Sequence, residues 1–382
     1  MLLKVHHTLA EIPADSWARL TGTDTPFLKH EFLNALETTG CVNPKTGWSP
    51  RHLGLYQQTG NSETLIGAVP LYLKTHSYGE YIFDWAWANA YDKAGLNYYP
   101  KLSAAVPFTP VTGPRLLVAN NHNKQDISQQ LIVAALDLAK QEQASSLHWL
   151  FVTSDEIPLL EAEHHLSRNS FQFHWQNNGY GNFDEFLAGL SSGKRKKIKR
   201  ERRQVAEEGI SVKVVPGSEL SREHWDSFYS FYYATIQNHW AIPYLNREFF
   251  YSIGQTMPEN IVMILAFKNN EVIAGALNFR DDNCLYGRYW GSNGMYHSLH
   301  FETCYYRAIE YCIENGLQRF EAGAQGEHKL SRGFLPTPVY SAHWLDHAEF
   351  NRAVSDFIDR EKHGISHQIA ELNDHSPFKQ VG

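Results

Sequence analysis

The residues from Phe320 to Phe334 carry the densest group of acid–base and anion-binding side chains in the sequence. Three glycines fall within the eleven residues from Gly323 to Gly333, so the backbone can approach a substrate closely. Glutamate or histidine can accept a proton, and lysine or arginine can hold a phosphate or carboxylate group. We therefore predict a substrate loop, with a purely structural loop as the alternative. The predicted catalytic residues are Glu327, His328 and Lys329, and the predicted substrate-binding residues are Gln325 and Arg332.

A second candidate site is the segment Gly287–Ser292, which ends a predicted strand just before a predicted helix. Ligands of α/β proteins commonly bind at such strand ends. Arg288, Tyr289 and Trp290 are therefore predicted to bind substrate, with core packing as the alternative for the two aromatic residues. Glu302, in the first turn of the helix, is predicted to face the same cleft as a catalytic residue.

A third candidate site is the aromatic segment Tyr81–Trp87, in which Asp84 is the one carboxylate. Burial would raise the pKa of this carboxyl group. We predict that Asp84 and Trp85 bind substrate. The alternative is that Asp84 only accepts a hydrogen bond from an indole or from the backbone.

A basic segment is the clearest single feature of the sequence, because eight of the ten residues from Lys194 to Arg203 are lysine or arginine. A helix over residues 194–208 would bury Ile198 and Val205 on one face and leave the other faces basic. Such a helix suits the phosphates of RNA or of a nucleotide-linked substrate, and a solvated helix on an acidic body is the alternative. The predicted phosphate or nucleic-acid contacts are Lys194, Arg195, Lys197, Arg200 and Arg202.

Composition excludes several other classes of protein. The net charge of -7 argues against a generally basic surface, so a polyanion would dock locally on the basic segment. The 4 cysteines include no CxxC pair, and no HExxH, Walker A or GxGxxG motif occurs, so neither a metal site nor a nucleotide loop is predicted. No signal peptide or apolar run of about 18 residues is present, and a cytoplasmic location is expected.

The elements that must position these residues follow a repeated order. Leu65–Val69 and Val272–Leu277 each form the second strand of a predicted hairpin with Gly-Ala inside it, which indicates a duplication. Residues 13–40 are predicted to be helical, and residues 78–87 to be strand or loop. We predict an α/β fold with mixed sheets flanked by helices, in two domains of residues 1–178 and 179–382.

The chain as a whole resembles the FemAB-like family of peptidoglycan biosynthesis. The basic segment preceding Gly209-Ile210 is similar to the R-x-x-I helix of that family, and Lys329 with Gly333-Phe334 is similar to its lysine-containing loop, although the Gly-Phe order is reversed. The resemblance is carried by Thr46–Leu53, Pro70–Lys74, Tyr81–Trp87, Pro107–Arg115, the basic segment, Gly287–Gly291, Leu299–Glu302, Glu321–Phe334 and Tyr340–Trp344.

The resemblance implies two GNAT-like domains and transfer of an acyl or aminoacyl group to an amine. Characterised relatives take the amino acid from aminoacyl-tRNA and add it to a peptidoglycan precursor. The acetyl-CoA signature of simple GNAT enzymes begins at Arg288 but is broken at Asn293, so the donor, acyl-CoA or aminoacyl-tRNA, stays open. No tightly bound cofactor is expected, and backbone N–H groups at a bulge near Gly275 are expected to stabilise the oxyanion. The alternatives are a non-catalytic RNA-binding module and a cell-wall interaction protein.

Overall fold

The computed structural model describes residues 1–22, 25–238, 243–323 and 326–379. The chain forms two compact units, one of Met1–Phe171 with Pro338–His367 and one of Gln172–Thr337 with Gln368–Gly382. The chain therefore passes between units at Phe171 and Gln172, whereas the sequence placed the domain boundary at 178/179. The returning segment Pro338–His367 lies within the predicted second domain, because nothing in its local pattern distinguishes it from its neighbours.

The strands are given in chain order. They are β1 Leu2–His6, β2 Trp48–Pro50, β3 His52–Thr59, β4 Ser62–Val69, β5 Leu71–Lys74, β6 Lys101–Ala104, β7 Leu117–Val118, β8 Ser146–Val152, β9 Leu166–Gln176, β10 Ser211–Pro216, β11 Ile261–Lys268, β12 Glu271–Arg280, β13 Cys284–Ser292, β14 Arg319–Glu321 and β15 Leu335–Leu345.

The α-helices follow the same order, with short 3-10 turns between several of them. They are α1 Ala14–Thr21, α2 His30–Thr38, α3 Trp85–Lys93, α4 Lys124–Gln141, α5 Ile157–Ala162, α6 Phe183–Gly189, α7 Ser192–Glu207, α8 Arg222–Asn238, α9 Arg247–Thr256, α10 Leu299–Phe301, α11 Arg307–Glu314 and α12 Ala348–Asp374. A π-helical segment, Glu302–Tyr306, joins α10 to α11, and Glu327–Arg332 forms a 3-10 turn.

The first unit contains an antiparallel sheet of order β1-β3-β4-β7 and a second group of strands, in which β15, β8, β6, β5 and β2 are neighbours. β6 and β8 pair in parallel, and α4 lies in the connection between them. One face of this second group is apolar: Leu102, Leu147 and Trp149 pack with Leu131 of α4 in the core.

The opposite face of the same strands is polar although it is buried, because polar and apolar residues alternate along each strand. Lysine, histidine and serine are covered there by the segment between β5 and β6. Two rows of aligned residues form this polar face: Trp48, Lys74 and Lys101 in one, and Tyr72, Ser103, His148 and His343 in the other.

The second unit orders its strands as β10-β11-β12-β13-β14, followed by the end of β9. The four strands from β10 to β13 form successive antiparallel pairs. The chain then passes through α10 and α11 to β14, which pairs in parallel with β13. The two parallel strands pair over three positions only, ending at Tyr286 and Glu321, while β13 continues to Ser292. β13 therefore diverges from the end of β14, which opens the sheet at this point.

A β-bulge lies beside this opening. Leu277 pairs with Tyr289 and Asn278 with Gly287, so Arg288 is the additional residue on β13. The expected bulge at Gly275 is wrong, because Gly275 pairs regularly with Leu265 and Gly291. Glycine at this position allows the strand to pack closely against Phe228, because a Cβ atom on Gly275 would lie 3.1 Å from the Phe228 ring.

Several other local predictions can be compared with the structure. The basic helix is confirmed as α7, and it buries Ile198 and Val205 as predicted. The helical prediction for residues 13–40 is only partly right, since α1 and α2 are separated by a non-helical stretch. Residues 78–87 were predicted to be strand or loop: residues 78–84 are loop, and α3 begins at Trp85. None of the helices in the described part of the chain combines the length and apolar character needed to cross a membrane.

Candidate functional site

A cavity of about 130 Å³ lies in the second unit where β13 and β14 diverge. Arg288, Tyr289 and Trp290 line it, so the structure brings these three predicted substrate-binding residues to one space. The remaining lining residues come from β12, from β13, from the helix between the parallel strands and from the residue after β14: Ala276, Leu277, Asn278, Gly287, His300, Cys304, Tyr305 and Ala322.

The helix that backs the cavity is irregular where it meets the opening. Cys304 and Tyr305 belong to the π-helical segment Glu302–Tyr306. Single π turns within helices occur often at functional sites, because the wider turn presents side chains that an α-helix would direct elsewhere. Burial lowers the pKa of the His300 imidazole to about 4, so this ring is neutral at neutral pH.

The predicted substrate loop adjoins the cavity through two of its residues. The Lys329 side chain is buried and donates a hydrogen bond to the Gly323 carbonyl at 2.8 Å. Burial lowers the pKa of this amine to about 8, while the nearby Cys304 thiol, which lines the cavity, opposes the shift. His328 Nε2 lies 2.9 Å from the Tyr305 hydroxyl, and burial lowers the pKa of its ring.

The other predicted loop residues are placed differently. Arg332 is buried and pairs with Glu201 of α7 at 3.2 Å, and its Nε donates to the Tyr306 hydroxyl at 3.0 Å. Its guanidinium carbon also lies 3.5 Å from the centre of the Phe301 ring. These contacts hold the loop to α7. Glu327 is exposed, and Gln325 lies outside the described residues.

Glu302 is engaged by the basic helix. Arg202 Nη2 lies 3.0 Å from Glu302 Oε1 and 3.0 Å from Glu310 Oε2, so the predicted nucleic-acid contact Arg202 forms partly buried ion pairs within the protein. Burial raises the pKa of the Glu302 carboxyl against the effect of Arg202. A carboxylate held in this way is poorly placed to accept a proton from a substrate amine.

A buried carboxyl group that the sequence prediction did not select lies at the edge of the opening. Glu321 closes β14, directly before the cavity residue Ala322, and burial raises its pKa to about 7. Its Oε1 forms an ion pair with Arg319 at 3.0 Å, while its Oε2 has no hydrogen-bond partner among the described residues and lies 3.9 Å from His174 Nε2. Arg288, in the cavity wall, also lowers the pKa of this carboxyl.

The outer surface of α7 keeps the basic character that the sequence predicted. Lys197 and Lys199 face acidic residues of the same unit, Glu201 at 3.9 Å and Asp184 at 3.2 Å. In the described part of the chain no carboxylate pairs with Lys194, Arg195, Lys196 or Arg200. The helix therefore holds the loop on its inner side and presents unpaired cations on its outer side.

The remaining predicted site residues, Asp84 and Trp85, belong to the first unit. Asp84 is buried in contact with Lys101 and accepts a hydrogen bond from the Tyr98 hydroxyl at 2.7 Å. The expected rise in its pKa is wrong, since Lys101 lowers the pKa of the Asp84 carboxyl despite burial. Trp85 is partly exposed, with its ring 5.0 Å from that of Tyr78.

Comparison with protein-family models matches residues 8–380 to the FemAB-like family, described as peptidoglycan biosynthesis/recognition. The chain therefore belongs to the FemAB-like family. No curated protein sequence matches the chain.

Several solved structures share the fold. FemX is 12% identical, with 93% of this chain and 100% of that chain covered and a TM-score of 0.53. The C-terminal DUF2156 domain of an Agrobacterium fabrum protein assigned as a lysylphosphatidylglycerol synthetase is 9% identical, with 91% and 96% covered and a TM-score of 0.53. A Bacteroides thetaiotaomicron protein of unknown function is 12% identical, with 90% and 99% covered and a TM-score of 0.51. The predicted tandem GNAT-like α/β fold is confirmed.

Proposed function

We propose that the second unit transfers an acyl or aminoacyl group to an amine acceptor, and that this acceptor is a peptidoglycan precursor. The observation that carries the proposal is the cavity between the diverging strands β13 and β14, together with the buried carboxyl group of Glu321, the residue directly before the cavity residue Ala322. The description of the FemAB-like family supports the peptidoglycan acceptor. The reaction needs no covalent enzyme intermediate, because an activated acyl carbonyl reacts directly with a free amine.

In the proposed reaction the amine nitrogen attacks the acyl carbonyl carbon, a C–N bond forms, and the bond to the donor's ester oxygen or thioester sulfur breaks. The amine must lose a proton, and a base with a pKa near the working pH performs this transfer best. Glu321 suits this role because its pKa is about 7 and its Oε2 has no hydrogen-bond partner in the described structure. Lys329 and Arg288 are proposed to hold the anionic part of the substrate.

The oxyanion of the tetrahedral intermediate needs hydrogen-bond donors fixed before the reaction begins. The bulge at Arg288 is the proposed position of these donors, because it interrupts the regular ladder between β12 and β13. It also borders the cavity, whereas Gly275, the position expected from the sequence, is regularly paired.

The basic helix favours a donor carried on RNA. Four cations of α7, Lys194, Arg195, Lys196 and Arg200, have no carboxylate partner in the described part of the chain, and a row of such cations suits a polyanion. The inner side of the same helix holds the substrate loop through the pair of Glu201 and Arg332. An aminoacyl-tRNA bound along α7 would therefore contact the helix that holds the substrate loop beside the cavity.

A transfer assay tests the proposal. The protein would be mixed with aminoacyl-tRNA or acyl-CoA and with UDP-linked peptidoglycan precursors, and mass spectrometry would detect the acylated precursor. We expect product from the unaltered protein and a large loss of product with Lys329→Met. The control Lys45→Met, at an exposed lysine of the first unit, should leave the rate unchanged.

Other outcomes would favour the alternative classes. Salt-sensitive tRNA binding without any product from either donor would indicate a non-catalytic RNA-binding module. Equal product from the unaltered protein and from folded Lys329→Met would remove Lys329 from the site.

A further inference from the structure

Two lysines lie directly opposite each other in the buried polar face of the first unit. Lys74 of β5 pairs in register with Lys101 of β6, and both residues are 0% exposed. Like charges at directly opposed strand positions destabilise a sheet, and a buried charge requires partners. The partners of each amine therefore indicate what the pair can bind.

Lys101 already has a complete set of acceptors. Its Nζ donates to Ser77 Oγ at 2.8 Å, to Glu80 Oε2 at 2.7 Å and to Asp84 Oδ2. These three bonds use all three donors of an ammonium group. Lys101 is therefore a structural member of the network, with two carboxylates against its single charge.

Lys74 is partnered much more weakly. Its Nζ lies 3.3 Å from the Tyr78 carbonyl and 3.5 Å from His76 Nδ1, both long for hydrogen bonds. Among the described residues no carboxylate forms an ion pair with it. The remaining contact is with an aromatic face, since Nζ lies 3.5 Å from the centre of the Trp48 ring.

Two further hydrogen-bonding groups beside Lys74 also have no partner in the described structure. Trp48 Nε1 and the Tyr72 hydroxyl are both buried without a hydrogen bond. Register places both residues on the same sheet face as Lys74, and the rings of Trp48 and Tyr72 are 5.5 Å apart. Each group can donate a hydrogen bond, so the cluster is rich in donors and poor in acceptors.

The segment after β5 supplies two of the contacts of the Lys74 amine. These contacts are with His76 Nδ1 and with the Tyr78 carbonyl; His76 is half-buried and Tyr78 is exposed. The His76 side chain is held by two hydrogen bonds, one between Nε2 and the Thr46 carbonyl at 2.9 Å and one from the Tyr78 N–H to Nδ1 at 3.2 Å. A displacement that breaks both would expose the amine.

We propose that Lys74, the Trp48 indole N–H and the Tyr72 hydroxyl form a binding site for an oxyanion, the phosphate or carboxylate group of a ligand, which enters when His76 moves outward. An oxyanion supplies the several acceptors that these donors lack. The site lies in the first unit and does not depend on the transferase reaction proposed for the second.

The site should bind an anion together with a proton. Burial lowers the pKa of the Lys74 amine to about 7, with Lys101 adding to the effect and Glu80 and Asp84 opposing it. An anion favours the charged amine, so binding should weaken above pH 7 by about tenfold per pH unit, until other groups titrate.

Isothermal titration calorimetry on the full chain, with pyrophosphate and with citrate as separate probes, tests the proposal. A background variant with Lys196→Gln and Arg200→Gln reduces anion binding to α7. We expect saturable binding with one equivalent, at least tenfold weaker binding in Lys74→Met, and unchanged binding in Lys93→Met, at an exposed lysine of α3. Binding of only one probe would identify the phosphate or the carboxylate group as the ligand chemistry.

Two further variants keep the result interpretable. Lys74→Arg retains the charge, and it should retain binding that is measurable and less dependent on pH. His76→Ala should bind at least as tightly as the background variant, since it opens the cover. The proposal is overturned if neither probe binds saturably to the background variant, or if a folded Lys74→Met variant binds as tightly as Lys93→Met.

Discussion

Glu321 is the residue on which the proposed chemistry depends most. It lies within the segment that the sequence singled out, yet its neighbours Glu327 and His328 were preferred because they sit among the glycines. The structure leaves Glu327 exposed and buries Glu321 at the end of β14. Burial, which raises the pKa of a carboxyl group, depends on strands distant in the sequence, so the local pattern could not reveal it.

Replacing Glu321 with glutamine should lower the rate of acyl transfer by roughly 10²- to 10⁴-fold, the usual contribution of a general base. A base must be unprotonated, so the rate of the unaltered enzyme should rise with pH through about 7. Steady-state rates from pH 5.5 to 8.5 would show this rise in the unaltered enzyme and its absence in Glu321→Gln. A folded Glu321→Gln variant with the unaltered rate and pH profile would exclude Glu321 as the base, and Glu327→Gln serves as the control.

At the scale of elements, α7 connects two parts of the second unit. Its inner side pairs Glu201 with Arg332 and Arg202 with Glu302, while its outer side carries cations that have no carboxylate partner among the described residues. The sequence predicted the helix and its two buried apolar residues correctly, because these follow from helical period. It could not predict which cations pair with carboxylates, since Glu302 and Arg332 are far away in the chain.

The effects of replacing Glu201 and Arg332 on the free energy of unfolding should be strongly coupled. Removing either partner leaves the other charge buried, so Arg332→Met or Glu201→Leu should each lower the free energy of unfolding by roughly 3–5 kcal/mol. The double variant should lose much less than the sum of the single losses. Urea unfolding of the four proteins measures this coupling, and additive losses would show that the pair is not formed in solution.

The outer cations of α7 should control how RNA binding depends on salt. Each lost phosphate contact lowers the slope of log K against log salt by roughly 0.7 to 0.9. The variant Lys194→Gln, Lys196→Gln, Arg200→Gln should therefore reduce the slope for tRNA by about 2, measured by filter binding. Lys140→Gln, at an exposed lysine of α4, should leave the slope unchanged; a similar reduction in that control would place the RNA elsewhere.

At the scale of the whole molecule, each of the two units builds a parallel pair of strands joined through a helix. The sequence predicted this tandem fold from the family resemblance and from the repeated hairpins. It did not predict that Pro338–His367 returns to the first unit, or that the sheet face of that unit carries buried lysines and histidines. Alternation of polar and apolar residues normally indicates a solvated face, and only the covering segment between β5 and β6 makes this one buried.

Buried neutral histidines should make the molecule sensitive to acid. Burial lowers the pKa of His165 to about 4 and that of His148 to about 3, below the ordinary value of about 6.5. The unfolded chain therefore binds more protons between these values, so this contribution to stability is present above pH 6.5 and is lost as the pH falls. A carboxyl group whose pKa is raised in the folded protein, such as that of Glu321, instead adds stability as the pH falls.

A variant isolates the contribution of one histidine from these opposing effects. His165→Gln removes one such group, so between pH 6.5 and 5 the unaltered protein should lose about 2 kcal/mol of stability relative to the variant. Urea unfolding of both proteins at each pH measures the difference. A difference that stays constant with pH would show that His165 is not kept neutral by the fold.

The most direct test of the account is the rate of acyl transfer after the cavity between β13 and β14 is filled. Ala322→Leu adds bulk to the cavity wall at a partly buried position, while Ala206→Leu adds the same bulk at an exposed position of α7. We predict that Ala322→Leu retains the unaltered melting temperature and loses at least tenfold in transfer rate, whereas Ala206→Leu loses nothing. An unaltered rate in a folded Ala322→Leu variant would show that the acyl group does not occupy this cavity and would contradict the account.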